Sequence, residues 1–303
     1  MSVAQIEEIS LEHDQPTGGL WRDAFRRFRR NPAGITGVAF VSFFIVIAIF
    51  APLLAPHSPT DQNLFALANG CCPGPSRDHF FGLDELGRDE FSRVMYGARY
   101  SLVVGVLSVA VGLSIGLVLG SIAGYLGGWA DSVVMRIMDI LLAIPSLLLA
   151  IGIVAMLGAG LPQVMIAVGV ATVPIFARLL RGTILGQREA DYVLAARSIG
   201  VRKRIILTSH ILPNSISPVI VAGTLAMATA IIDVAGIGFL GLGPQDPATP
   251  EWGTMLTTAD RYIGTAPLLA LFPGLAIVFI VLGFNLIGDA LREALDPKLR
   301  RYD

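Results

Sequence analysis

The sequence predicts an all-α membrane protein with six transmembrane helices, and three observations carry that prediction. The chain is 54% hydrophobic and only 15% charged, with a mean hydropathy of +0.69, which is too little charge for a soluble domain of this length. Five windows, 31–60, 100–130, 140–177, 205–232 and 262–288, hold no Asp, Glu, Lys or Arg. A crossing needs about 20 apolar residues. The third window is almost twice that, and Gly158-Ala-Gly160-Leu-Pro162 breaks it where a hairpin turn falls.

Residues 1–33 read as a flexible acidic tail followed by an amphipathic helix. Trp21, Phe25 and Phe28 recur at i, i+4, i+7 with arginines on the other faces, a pattern suited to the surface of the bilayer. The first span is expected over 34–55. Some 30 polar or charged residues precede it, so it reads as an uncleaved anchor and not as a signal peptide. Residues 56–99 form an extracytoplasmic segment, rich in Pro and Gly at first and ordered-looking from His79 to Arg93. Its adjacent cysteines, Cys71 and Cys72, are the only two. Neighbours rarely suit disulfide geometry, so they read as incidental thiols open to oxidation.

A core of five helices follows in 100–295, at about 100–127, 132–157, 161–181, 214–240 and 266–289, with a short tail over 296–303. In the second span Gly112, Gly116, Gly120, Gly124 and Gly128 recur every fourth residue, a small-residue stripe of the kind that lets helices approach closely in lipid. Gly112-Leu-Ser114-Ile-Gly116 also matches the G-x-S-x-G hydrolase elbow, but the elbow needs a strand-to-helix turn. A long apolar helix is a packing surface instead.

Cations set the orientation. Seventeen of the 22 Lys and Arg fall on the face shared by the two termini and the 182–213 loop, and five on the other. Cytoplasmic loops carry that excess, so both termini and the loop are expected in the cytosol. The formal net charge of −1 makes no case for nucleic acid.

Catalytic chemistry is missing. The two lysines, Lys203 and Lys298, do not follow a glycine, so no P-loop can form. The four histidines are scattered, and no Cys/His set has zinc spacing. Three charges inside spans are candidates for a translocation path, because such charges face protein or water. They are Asp233 in the fifth span, and Arg136 and Asp139, whose i, i+3 spacing suits a pair on one helix face.

The 182–213 loop is the strongest signal. Its entry carries Glu189 and Asp191, and residues 187–199 suit a short helix with small Ala195 and Ala196. Gly200 can take the left-handed conformation that ends it. A second short helix follows over Val201–His210, stopped at Pro213. Two short helices make a rigid knob for a groove on another protein. Leu194-Ala-Ala196-x3-Gly200-x9-His210-x-Leu212-Pro213 resembles the E-A-A-x3-G-x9-I-x-L-P motif of bacterial ABC importer permeases, with Leu194 for the glutamate and His210 for the isoleucine.

Over residues 22–300 the chain is similar to the C-type permease subunit of dipeptide and oligopeptide importers. Phe81-Gly-Leu-Asp-x-Leu-Gly-Arg-Asp89, Arg93-Val-Met-Tyr-Gly-Ala-Arg99, Met135-Arg-Ile-Met-Asp139, Phe239-Leu-Gly-Leu-Gly243, Pro250-Glu-Trp-Gly-Thr-Met-Leu256 and Phe284-Asn-Leu-x-Gly-Asp289 carry the resemblance. Dipeptide, oligopeptide, glutathione and some nickel permeases share these features.

The resemblance implies the type I ABC importer permease fold in the bacterial plasma membrane. It further implies a second homologous permease, two ATP-binding subunits that hold the ATP and magnesium, and an extracytoplasmic binding protein. In the knob, Ala195, Ala196 and Gly200 would form the packed centre and Leu212-Pro213 the hinge. Arg197, Arg202, Lys203 and Arg204 would make charged contacts with an ATPase. A secondary carrier, the rival from another class, would show inverted repeats or more intramembrane charges, and the sequence has no such repeat.

Overall fold

The computed structural model describes residues 20–295. The tails expected at 1–19 and 296–303 lie outside the described residues. Among the described residues there is no strand, only one isolated bridge between Leu83 and Asp89.

The amphipathic helix α1 (Leu20–Phe28) packs on the last helix of the chain and buries Ala24. Phe25 stays 63% exposed. The first crossing, α2 (Pro32–Leu54), is started by Asn31, whose Oδ1 accepts from the Gly34 N–H at 3.1 Å, with Pro32 in the first turn. It ends before Pro56, which disfavours helix at the residue preceding it. After a 3-10 turn (Leu64–Asn69), α3 (Glu90–Leu126) begins ahead of the expected residue 100. Asp89 caps it, and the charges of its first turns are buried, so a charge-free window clips its start.

The expected third span is two helices, α4 (Gly128–Leu142) and α5 (Ser146–Leu157), bent by 91°. The cause is Pro145, which lacks an N–H and pushes Ile144 out of the helical region. α6 (Leu161–Arg188) runs past the expected residue 181. A short helix, α7 (Asp191–Ser198), leads into α8, a composite of Lys203–Ile205, a π turn (Ile206–Ile211) and Leu212–Ser215. α9 (Ser217–Ile237) ends in a second π turn, Gly238–Leu242. The unforeseen α10 (Trp252–Asp260) precedes α11 (Leu268–Leu295). Among the described residues five helices are long and apolar enough to cross a membrane, and the bent pair brings the number to six where it counts as one span.

The glycine stripe decides how these helices sit. A Cβ on Gly112 would lie 2.6 Å from the Gly169 carbonyl oxygen, on Gly116 2.6 Å from Phe176 Cβ, on Gly120 2.6 Å from the Ala177 carbonyl and on Gly124 3.0 Å from Ile184 Cβ. α3 and α6 therefore touch backbone to backbone through four glycines. Gly128 is the exception. It lies beyond the end of α3, and nothing stands within 4 Å of its Cβ position, because Gly127 at φ +68 has already ended the helix. α2 meets α11 by the same means at Gly37, whose Cβ would lie 2.7 Å from the Gly283 carbonyl.

Two further expectations fail. Cys71 and Cys72 are joined as a disulfide between neighbours, and among the described residues no free cysteine remains. Cys72 takes φ +63, which turns the chain there, and it is buried beside Ala259 and Leu269. Pro213 does not stop a helix. The Leu212 N–H donates to the Leu207 carbonyl across the π turn, so the wide turn just before Pro213 absorbs its missing donor.

Candidate functional site

The 187–216 segment is a folded unit on the end of the helix bundle. Glu189 is exposed, and Ala190, at φ −71 and ψ 144, turns the chain from α6 into α7. α7 closes with the Gly200 N–H bonded to the Arg197 carbonyl and the Val201 N–H to the Ala196 carbonyl, both at 3.1 Å. Gly200 has φ +80. That pair of bonds around a left-handed residue satisfies the last carbonyls of α7 and reverses the chain into α8. Val193, Ala196, Ile206 and Ile211 are buried together, in one cluster with Phe176, Leu180 and Ile184 of α6. The core of the knob is thus continuous with the core of the bundle. Two bonds pin it from below: Tyr125 Oη donates to the Lys203 carbonyl at 2.7 Å, and Arg188 Nη1 to the Gly124 carbonyl at 3.1 Å.

The sequence placed Ala195, Ala196 and Gly200 together at the packed centre. Only Ala196 is buried; Ala195 and Gly200 are exposed, and the open space around Gly200 makes its conformation, not its size, the reason for glycine. Asp191, Arg197, Arg202, Lys203 and Arg204 are exposed, as is Pro213, while Leu212 is half-buried. Missed from the sequence was an apolar rim among these charges. Ile199 is 81% exposed, with Ile205 and Leu194 exposed to a lesser degree. A surface of cations around apolar side chains, stiffened from beneath, suits a protein partner.

The family follows from comparison. Residues 116–301 match the model of the binding-protein-dependent transport system inner membrane component, and residues 19–69 that of the N-terminal TM domain of oligopeptide transport permease C. The chain belongs to the inner-membrane permeases of binding-protein-dependent transport systems. The permease is 49% identical over 280 residues to the dipeptide transport system permease protein of Alkalihalophilus pseudofirmus, covering 92% of this chain and 90% of that one. It is 51% identical over 280 residues to the glutathione transport system permease protein of Shigella flexneri serotype 5b, covering 92% and 91%. In fold, the permease is similar to the MetNI methionine ABC transporter in its inward-facing form. The TM-score is 0.56 at 20% identity, over 67% of this chain and 96% of that one. It is the membrane component of an ABC importer, with the type I permease fold.

The permease's intramembrane charges are arranged otherwise than their spacing suggested. Arg136 and Asp139 do not pair. Asp139 bonds Arg178 of α6, and one turn along α6 Arg181 holds Asp131 at 2.8 and 2.6 Å. Arg136 is exposed. Both aspartates of α4 therefore bond across to α6, which reflects the packing of α4 on α6 that i, i+3 counting cannot see. Asp233 is half-buried and makes no hydrogen bond or ion pair among the described residues.

A buried charged cluster on the face opposite the knob was legible only as motif residues. Asp84 Oδ2 accepts from Arg88 Nε at 2.7 Å and lies 3.4 Å from Arg93 Nε. Arg88 also donates to the Pro247 carbonyl at 2.6 Å and Arg93 to the Pro59 carbonyl at 3.0 Å. These bonds tie residues 59–93 to the loop before α10. In that loop Glu251 caps α10 by accepting from the Gly253 and Thr254 N–H groups, both at 2.9 Å, and from Ser101 Oγ at 3.4 Å. Burial pushes its carboxyl above the usual range, against the lowering effect of those bonds.

Proposed function

We propose that this permease pairs with a second, homologous permease to enclose a path for dipeptides or longer peptides into a bacterial cell. Two ATPase subunits carry the ATP and magnesium and dock on the knob, and a binding protein delivers cargo to the opposite face. Both termini lie in the cytosol, in keeping with the seventeen cations on that face. One observation carries the docking: the knob's exposed rim of Leu194, Ile199 and Ile205 among Arg197, Arg202, Lys203 and Arg204 stands on a core shared with α6. A partner that moves the knob therefore moves the crossing helices. For the cycle to run, each state must bind nucleotide or cargo differently. Asp233, half-buried and unpaired, is the intramembrane charge best placed to meet a cargo amine or a cation of the second permease.

The substrate class rests on the named relatives, and the glutathione permease supports a second reading, since glutathione is itself a small peptide. Gentle-detergent purification of the tagged chain from its own cell is expected to bring a second permease and two ATPases. Uptake by the reconstituted complex then separates peptides, glutathione and nickel. A chain that purifies alone and transports without ATP would overturn the reading.

A further inference from the structure

His57 and His79, far apart in sequence, meet on the face opposite the knob with their ring centroids 4.7 Å apart. Asp89 completes the group. Its Oδ1 lies 2.9 Å from His79 Nδ1, and its side chain is only 1% exposed. One ligand atom from each of the three residues lies within 4.8 Å of the others. We propose that His57, His79 and Asp89 form a binding site for a divalent transition-metal ion, with zinc as the best-fitting ion.

The surroundings hold this group as metal ligands are held. Asp89 Oδ2 is occupied by the Ser92 N–H at 2.8 Å and Ser92 Oγ–H at 2.7 Å, which leaves Oδ1 to face the histidines. The same Ser92 Oγ accepts from the His57 backbone N–H at 3.2 Å, so one side chain positions both ends of the site. His57 Nε2 lies 2.9 Å from the Asp78 carbonyl oxygen. A carbonyl can only accept, so Nε2 carries the proton and Nδ1 keeps the lone pair. A ligating histidine whose second nitrogen donates to a backbone carbonyl is the recurrent arrangement in metal sites.

Two imidazoles and a carboxylate, with a fourth position for water, match the donor set zinc takes when one site is left open. On binding, His79 Nδ1 gives up the proton it shares with Asp89 Oδ1 and Nε2 carries the ring's one N–H, so His79 ligates as a neutral imidazole. The pair then spreads from its 2.9 Å contact to the roughly 3.3 Å separation of neighbouring ligands around a tetrahedral zinc. His57 follows the end of α2, and Asp89 caps α3. The ion would brace the segment between these helices against the start of α3. Because it binds the folded arrangement, it would stabilise the chain by mass action.

The test uses the full-length chain with a histidine-free affinity tag, stripped with chelator in detergent and titrated with zinc chloride against a competing indicator. One zinc ion per chain is expected, with a rise in melting temperature and X-ray absorption showing nitrogen and oxygen ligands at about 2.0–2.2 Å. His57→Gln and His79→Gln are each expected to weaken binding by about 10- to 100-fold, and His210→Gln to leave it unchanged. The His79–Asp89 bond also serves the start of α3, so His57→Gln is the deciding variant. No saturable binding by the wild type, or undiminished binding by His57→Gln, would overturn the site.

Discussion

Gly200 occupies a conformation, φ +80, that costs an L-residue about 1–2 kcal/mol. Its Cβ position is open, so substitution acts through the backbone alone. Gly200→Val is expected to weaken the closure of α7 by about that amount and to abolish coupled uptake, with ATPase activity uncoupled and the chain still in the membrane. Normal uptake by a stably inserted variant would remove Gly200 from the coupling surface.

Glu251 makes a prediction of a different kind. Its carboxyl is raised above 4.5 by burial, so between that value and its folded one the native chain holds a proton that the unfolded chain has lost. Stability from this group is full below pH 4.5 and is lost as pH rises through the folded value. Glu251→Gln is expected to flatten the decline, measured as melting temperature from about pH 4 to about pH 8. At this scale Gly200 was legible, since glycine after an alanine-bearing helix has few other reasons to be there. The meeting of His57 with His79 was not, because it depends on how a long segment folds back on itself.

Among the elements, the contact of α3 with α6 is the tightest to test. Gly116→Leu would place a side chain where even Cβ lies 2.6 Å from Phe176 and 3.0 Å from the Val173 carbonyl. Overpacking of that sort costs about 1–3 kcal/mol, and a matching loss of assembled permease on heating is expected. Gly152→Ala in α5, with nothing within 4 Å, should change little.

The stripe itself was visible at i, i+4, but its end was not, and Gly128 was counted in it: spacing cannot tell that Gly127 ends the helix before Gly128. Pro145 and Pro213 show the same limit from two sides. One breaks a helix by 91°, while the other is absorbed in a wide turn, and the difference lies in what the neighbouring carbonyls can bond. α10 escaped notice because nine residues, capped by a buried Glu251, give no spanning window.

For the whole molecule, the order of the apolar helices was readable because lipid imposes a length and excludes charge. The position of the knob was readable from its motif spacing. The exposed Ile199 was not, since an isoleucine in a loop reads as core until the loop is folded. The opposite face was the least legible. There Arg88, Arg93 and Glu251 are buried with partners far away in the chain, and window-based hydropathy counts such charges as solvent-exposed.

The break between α4 and α5 has a further bearing on how the molecule sits in its bilayer. α5 has 12 residues, a rise of ~18 Å against a hydrocarbon thickness of ~30 Å. Its first turn has no side-chain cap, and Ala143 through Ser146 are exposed. Bare amides with the positive end of a helix dipole cannot rest against acyl chains. This corner of the bundle is therefore expected to be covered by water or by another polypeptide and not by lipid. Ser146→Cys should react with a membrane-impermeant maleimide in the isolated chain and be shielded in the assembled transporter. In the isolated chain, the wall beside Pro145 is the place where water is expected to reach part-way into the membrane.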